Sequence, residues 1–243
     1  MSTPAEQNAA IWQSSEMAET WVAEAELRQR NHAAQWRFMA ELLPFGEQDA
    51  VTVLDLGAGA GDLARAILRA HPRSTAILAD FSAGMLALGE AEMAPFEGRY
   101  RYVELDMSAA RWPEAIPAAV DAVVSSQCVH HLADVRKKGL FAEIFGRLAP
   151  GGWYLNYDPV RTDDPVVAAL WERAAARDDS QAPHRREHRT PHDQARWENH
   201  LRHIAPLEPQ LAMLRAAGFD GVDVYWRRLD YVIFGGRRPT AGG

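Results

Sequence analysis

The run Val53-Leu54-Asp55-Leu56-Gly57-Ala58-Gly59-Ala60-Gly61-Asp62 constrains the fold of this chain more than any other feature. Before it, Val51-Thr52-Val53-Leu54 is β-branched and apolar and reads as a strand stopping at Asp55. After it, Leu63, Ala64, Ile67 and Leu68 place one apolar stripe on a helix. A strand, a glycine turn and a helix form the opening unit of an α/β domain. The rhythm continues with strands expected at Ser74–Leu78, Arg99–Leu105, Ala119–Ser125 and Trp153–Tyr157. A helical face of Leu140, Phe141, Ile144, Phe145 and Leu148 is closed by Pro150-Gly151-Gly152. Strands alternating with helices need crossover connections, so the sheet is mostly parallel and covered on both faces.

The two ends and one insertion depart from that rhythm. Residues 1–45 read as an N-terminal helical lid, with His32, Trp36, Met39 and Leu43 on one stripe. Residues 46–159 form the core, and 160–205 carry no strand signal and read as a helical cap. Residues 206–243 add a helix, Leu207–Ala217, stopped by Gly218. They end in two strand runs around Val222-Val224-Trp226 and Tyr231–Phe234, separated so briefly that they form an antiparallel hairpin.

The glycine spacing selects the ligand. A dinucleotide turn needs a third glycine where this chain has Asp62, whose carboxylate would repel a pyrophosphate. No Gly-Lys-Ser/Thr follows, which excludes a P-loop. Asp55 instead suits a cationic group beside the turn. Asp80, at the next strand end and about twenty residues on, suits a ribose diol. Phe81 and Met107 are placed to sandwich an adenine. The implied ligand is a positively charged adenosine without phosphates.

With the Asp55–Gly61 loop, Asp80, Asp106-Met107, the segment from Asp121 to His130-His131-Leu132 and Leu148–Gly152 in this order, the sequence resembles the class I S-adenosylmethionine-dependent methyltransferases, in their small-molecule branch. The resemblance implies a Rossmann-like seven-stranded sheet, mostly parallel, whose antiparallel strand matches the hairpin. It implies S-adenosylmethionine as cofactor, with Gly57, Gly59 and Gly61 beneath the methionyl part and Asp55 near its ammonium. It also places Asp80 at the ribose, Phe81, Met85, Asp106 and Met107 around the adenine, and Ser126 and Gln127 beside the reactive end. Methyl transfer to O, N or C of a small acceptor is the expected activity. The alternatives are an RNA-modifying relative, because the last third also resembles carboxy-S-adenosylmethionine synthases, and a cofactor-binding protein without turnover.

His130 and His131 are the expected catalytic residues, since a neutral imidazole can accept a proton near pH 7. Trp21 in the lid and Asp158 at a strand end are expected to contact substrate. The cap holds His184, His188, His192, His200 and His203, but Pro183 and Pro191 oppose one helix through the first three, and no metal site is expected. A formal charge of −7 disfavours a nucleic-acid partner. No apolar run spans a bilayer, Met1–Ala10 carries no export signal, and Cys128 is the only cysteine. A cytoplasmic protein, monomer or homodimer, is the expectation.

Overall fold

The computed structural model describes residues 4–178 and 189–240. Three helices open the chain: α1 (Pro4–Trp12), α2 (Ser15–Ala23) and α3 (Ala25–Leu42). The core follows as β1 (Thr52–Leu56), α4 (Asp62–Ala70), β2 (Thr75–Asp80), α5 (Ala83–Met93), β3 (Tyr100–Glu104), β4 (Val120–Ser126), α6 (Asp134–Arg147) and β5 (Leu148–Pro159). Helices α7 (Pro165–Asp178) and α8 (Pro191–Arg202) make the cap. Helix α9 (Leu207–Ala217) and strands β6 (Asp220–Arg228) and β7 (Tyr231–Arg237) complete the chain.

The strands form one seven-stranded sheet in the order β3-β2-β1-β4-β5-β7-β6. β7 runs antiparallel to both of its neighbours, and the pairings among the first five strands are parallel. The chain leaves β1 toward β2 and β3, then returns to place β4 on the other side of β1. That reversal opens a crevice beyond the carboxyl ends of β1 and β4, where ligands of open α/β sheets bind.

Alternation along β1 sorts the core into layers. Leu54 and Leu56 face a cluster with Leu140, Phe141 and Ile144 of α6 and Leu211 and Leu214 of α9. Val53 faces the opposite cluster, with Leu63 and Ile67 of α4, Trp36 and Met39 of α3, and Leu43 just after it. The predicted stripe on α3 is therefore a sheet-covering face. The later part of α3 belongs to the core, while its earlier turns, with His32 and Trp36, line the crevice together with α1 and α2.

Strand ends differ modestly from the pattern reading. β1 runs on through Asp55 and Leu56, because both still pair with β2 and β4. β5 begins at Leu148, before Pro150-Gly151-Gly152, where Leu148 pairs with Val120 across a register shift. Pro191 starts α8 as a first-turn proline behind a Thr190–Asp193 capping box, the position where a missing N–H costs nothing. His184, His188 and Pro183 lie outside the described residues.

Candidate active site

The crevice is a cavity of about 1380 Å³, floored by the glycine loop and roofed by α1, α2 and α8. Asp55, Gly57, Gly59, Asp80, Phe81, Met85, Asp106, Met107, Ser126, Gln127, Trp21, His130 and His131 all line it. Gly61 and Asp158 do not. A Cβ on Gly61 would meet Leu78 and Met93 at 2.9 Å, so this glycine allows α4 to pack on the sheet and stands under the loop. Its φ of +83° also suits glycine alone.

The floor is braced from beneath. Gly59 N–H donates to Asp80 Oδ2 at 2.8 Å, and Ser82 N–H donates to Asp80 Oδ1 at 2.8 Å. Burial raises the Asp80 carboxyl above its usual range. Gly57 has φ +69°, and a Cβ there would lie 2.1 Å from Cys128 Sγ. The backbone therefore passes this point only as glycine. Asp55 is fully buried, and its Oδ2 has no hydrogen-bond partner among the described residues. Burial, with the Asp80 charge nearby, pushes its carboxyl up to about 8. An unpartnered carboxylate oxygen beside a cradle with no room for a Cβ fits a cationic amino-acid head group. Asp106 is exposed, and its Oδ1 accepts from Ser108 N–H at 2.8 Å, while Met85 and Met107 are buried beside it. Gln127 takes φ +58°, and its N–H donates to Tyr157 O at 2.8 Å. Ser126 Oγ accepts from Trp36 Nε1–H at 2.9 Å.

The far wall carries the histidines. Asp158 is buried behind it and accepts from His130 N–H at 3.0 Å and Asn156 Nδ2 at 3.0 Å, with His130 Nδ1 at 2.8 Å from its Oδ1. A carboxylate only accepts, so the ring proton of His130 sits on Nδ1. Asp158, expected to meet substrate, thus orients His130 instead, because those three contacts turn it away from the cavity. Burial raises Asp158 to about 6 and lowers His130 to about 3. His131 is also lowered by burial, and its ring lies 5.7 Å from Trp12.

One of the five cap histidines also reaches this wall. His200 of α8 brings Nδ1 within 2.9 Å of His130 Nε2, and Trp197 stacks on its ring at 5.4 Å. Nothing in one dimension ties residues seventy positions apart; the contact follows from the cap folding back over the crevice.

Residues 53–152 match the methyltransferase domain family. Residues 53–152 therefore form a methyltransferase domain. An uncharacterized methyltransferase of Mycobacterium bovis is 33% identical over 111 residues, 46% of this chain and 50% of that protein. A demethylmenaquinone methyltransferase of Thermus thermophilus is 32% identical over 118 residues, 49% of this chain and 51% of that protein. The chain spans about half the length of these curated relatives. The fold of this methyltransferase domain with its lid and cap also resembles an O-methyltransferase family protein from Burkholderia thailandensis. The TM-score is 0.67 at 21% identity, over 97% of this chain and 63% of that one.

Proposed function

We propose that this chain transfers a methyl group from S-adenosylmethionine to a small, largely aromatic acceptor held between the floor and the roof. The observation that carries this reading is one continuous cavity joining the Asp55–Asp80 floor to the His130–His131 wall. The cofactor supplies an electrophilic methyl on a sulfonium. In this reading Asp55 pairs with its ammonium, Gly57 and Gly59 let the methionyl part approach the backbone, and Asp80 meets the ribose. Met85, Phe81 and Met107 enclose the adenine with Asp106 at its edge, and Ser126 and Gln127 border the reactive end. Trp12 and Trp21 stand edge to face at 6.0 Å, and Trp21 Nε1 is buried without a partner among the described residues. Flat apolar walls with one waiting donor suit an aromatic ring bearing an oxygen or nitrogen. The Thermus relative's name points the same way, to a quinone-type acceptor.

In-line displacement draws its acceleration from alignment, so the lid (residues 1–45) and cap (160–205) are assigned the task of seating the acceptor. Bound there, the cofactor would supply its methyl group to the acceptor's nucleophile, the methyl–sulfur bonding pair going to sulfur to leave a thioether. The nucleophile's proton passes to the histidine wall, where His130 and His131 act on it. Low-polarity burial keeps both rings neutral and lowers their basicity, so the proton moves only as methyl transfer makes the acceptor's nucleophile acidic. No described helix is long and apolar enough to cross a membrane. The single cysteine supports our reading of a protein of the reducing cytoplasm, monomer or homodimer.

Labelled S-adenosylmethionine incubated with the chain and a panel of phenols, quinols, aromatic acids and amines tests the reading. Label should move to at least one, and His131→Ala should cut turnover by at least about tenfold with cofactor affinity kept. Cofactor binding with no transfer to any acceptor would favour a non-catalytic binding protein. Tight, salt-sensitive retention of bulk tRNA would favour the RNA-modifying reading, which the charge of −7 opposes.

A further inference from the structure

Three imidazoles from two separate parts of the chain converge on the acceptor side of the cavity. His130 and His131 follow β4, and His200 comes down from the cap on α8. One ring nitrogen of each lies within 4.8 Å of the others. All three side chains line the cavity. His130 is further fixed by Asp158, which takes its Nδ1–H and leaves Nε2 pointing at His200. A carboxylate bonded to the far nitrogen of a ligating histidine is the usual support of a metal-bound imidazole, fixing its tautomer and raising its basicity.

We propose that His130, His131 and His200 bind one divalent first-row transition ion, of the zinc or cobalt class, whose open coordination positions face the acceptor. The donor set decides the class. Three neutral nitrogens without a carboxylate ligand suit borderline ions and are poor partners for magnesium or calcium, which take oxygen. Three protein ligands leave a fourth position open, the pattern of catalytic rather than structural sites. The neighbouring cations are already engaged: Arg196 pairs with Glu24, and Lys137 with Asp134. Asp158 supplies buried negative charge directly behind the site.

The fit needs one adjustment. Nitrogens bound tetrahedrally at about 2.0–2.1 Å stand about 3.4 Å apart. His130 Nε2 and His200 Nδ1 are 2.9 Å apart, joined by a shared proton. The ion takes the place of that proton, which moves to the other nitrogen of His200, and α8 retreats by about half an ångström. Since α8 is part of the roof, the ion would tie cap to core at the acceptor position.

This inference rests on the methyl-transfer reading and deepens its acceptor side. With the ion bound, His130 and His131 serve as ligands and not as bases, and the acceptor is a compound with an ionisable oxygen, such as a phenol, enol or hydroxy acid, that would lose its proton to solvent on filling the open position. Its test does not depend on turnover. The whole chain, stripped with chelator and dialysed, is titrated with cobalt(II) and zinc(II), cobalt being followed by its visible bands. One equivalent should bind, with nitrogen-type d–d absorption. His200→Gln should weaken cobalt binding at least about 100-fold, and Asp158→Asn about 10- to 100-fold. Titration with S-adenosylhomocysteine verifies that each variant is folded. Absence of cobalt binding, or binding that His200→Gln leaves unchanged while the cofactor still binds, overturns the site. Cobalt binding without cofactor binding upholds the site and sinks the methyl-transfer reading instead.

Discussion

The floor and the roof of the cavity are built from different physics. The floor is apolar packing with a few braced polar groups: Leu54, Leu56 and Leu78 are wholly buried, and Asp80 ties the glycine loop, through Gly59 N–H, to its own turn, through Ser82 N–H. The roof is joined largely by side-chain polar contacts. Arg196 grips Glu24 at 2.9 and 3.1 Å, Asn199 Nδ2 donates to Asn8 Oδ1 at 2.7 Å, and His192 sits 3.3 Å from Glu16. Between them, Arg28 bonds Asp62 of the loop at 3.1 Å while stacking 3.7 Å over Trp21. A close-packed floor is rigid and intolerant of added atoms, whereas exposed ion pairs are individually weak. The floor is thereby suited to an invariant ligand, the roof to one that must enter and leave.

Substitutions should divide along that line. The largest effect is expected from Gly57→Ala, whose Cβ would meet Cys128 Sγ at 2.1 Å in a left-handed backbone. It should weaken S-adenosylhomocysteine at least about 100-fold by calorimetry. Asp80→Ala removes the brace of Gly59 and, in the proposed reading, the ribose partner, and should cost about 1–3 kcal/mol of the same affinity. Unchanged binding in either variant would break the picture of a rigid floor.

Roof changes should spare the cofactor. Arg196→Ala should leave its affinity within about twofold and raise the acceptor KM by about two- to fivefold, as the loss of a partly exposed ion pair implies. A cofactor defect equal to that of Asp80→Ala would show that roof and floor are not separable. Hydrogen exchange offers a second view: amides of α8 should exchange faster than those of β1 and β4, and cofactor should slow the loop at 57–61 before it slows α8.

Asp55 gives the sharpest sign. Burial holds its folded carboxyl at about 8, above its ordinary 3.8. A raised folded value favours the folded state at low pH, and that contribution is lost as pH climbs from about 4 through about 8. Without cofactor, melting temperature should decline across this window. A bound ammonium favours the carboxylate, so cofactor should flatten the slope and release protons near pH 7, seen as heat that depends on the buffer. A pH-independent binding heat would mean that Asp55 does not meet the cation.

The same division explains what was readable in one dimension. Floor residues sit at strand ends, and a strand's period and the glycines after it are local signals; Asp55, Gly57, Asp80 and Met107 could be placed from them. Trp36 and Met39 of α3 carried a correct helical stripe, but periodicity does not say whether a face covers a sheet or a ligand. Asp158 was correctly put at a strand end, yet its partners, His130 and Asn156, decide its direction and are tertiary. His200 stood among five cap histidines with nothing local to set it apart, because its contact with His130 arises only when α8 folds against the segment after β4.

Calorimetric titration of the full chain with S-adenosylhomocysteine, with NADH in parallel, tests the central assignment of the floor most directly. Micromolar binding of the first and none of the second is the expected result. Binding of NADH, or of neither, would contradict it, because Asp62 and the unpartnered Asp55 would then not be selecting a cationic, phosphate-free adenosine.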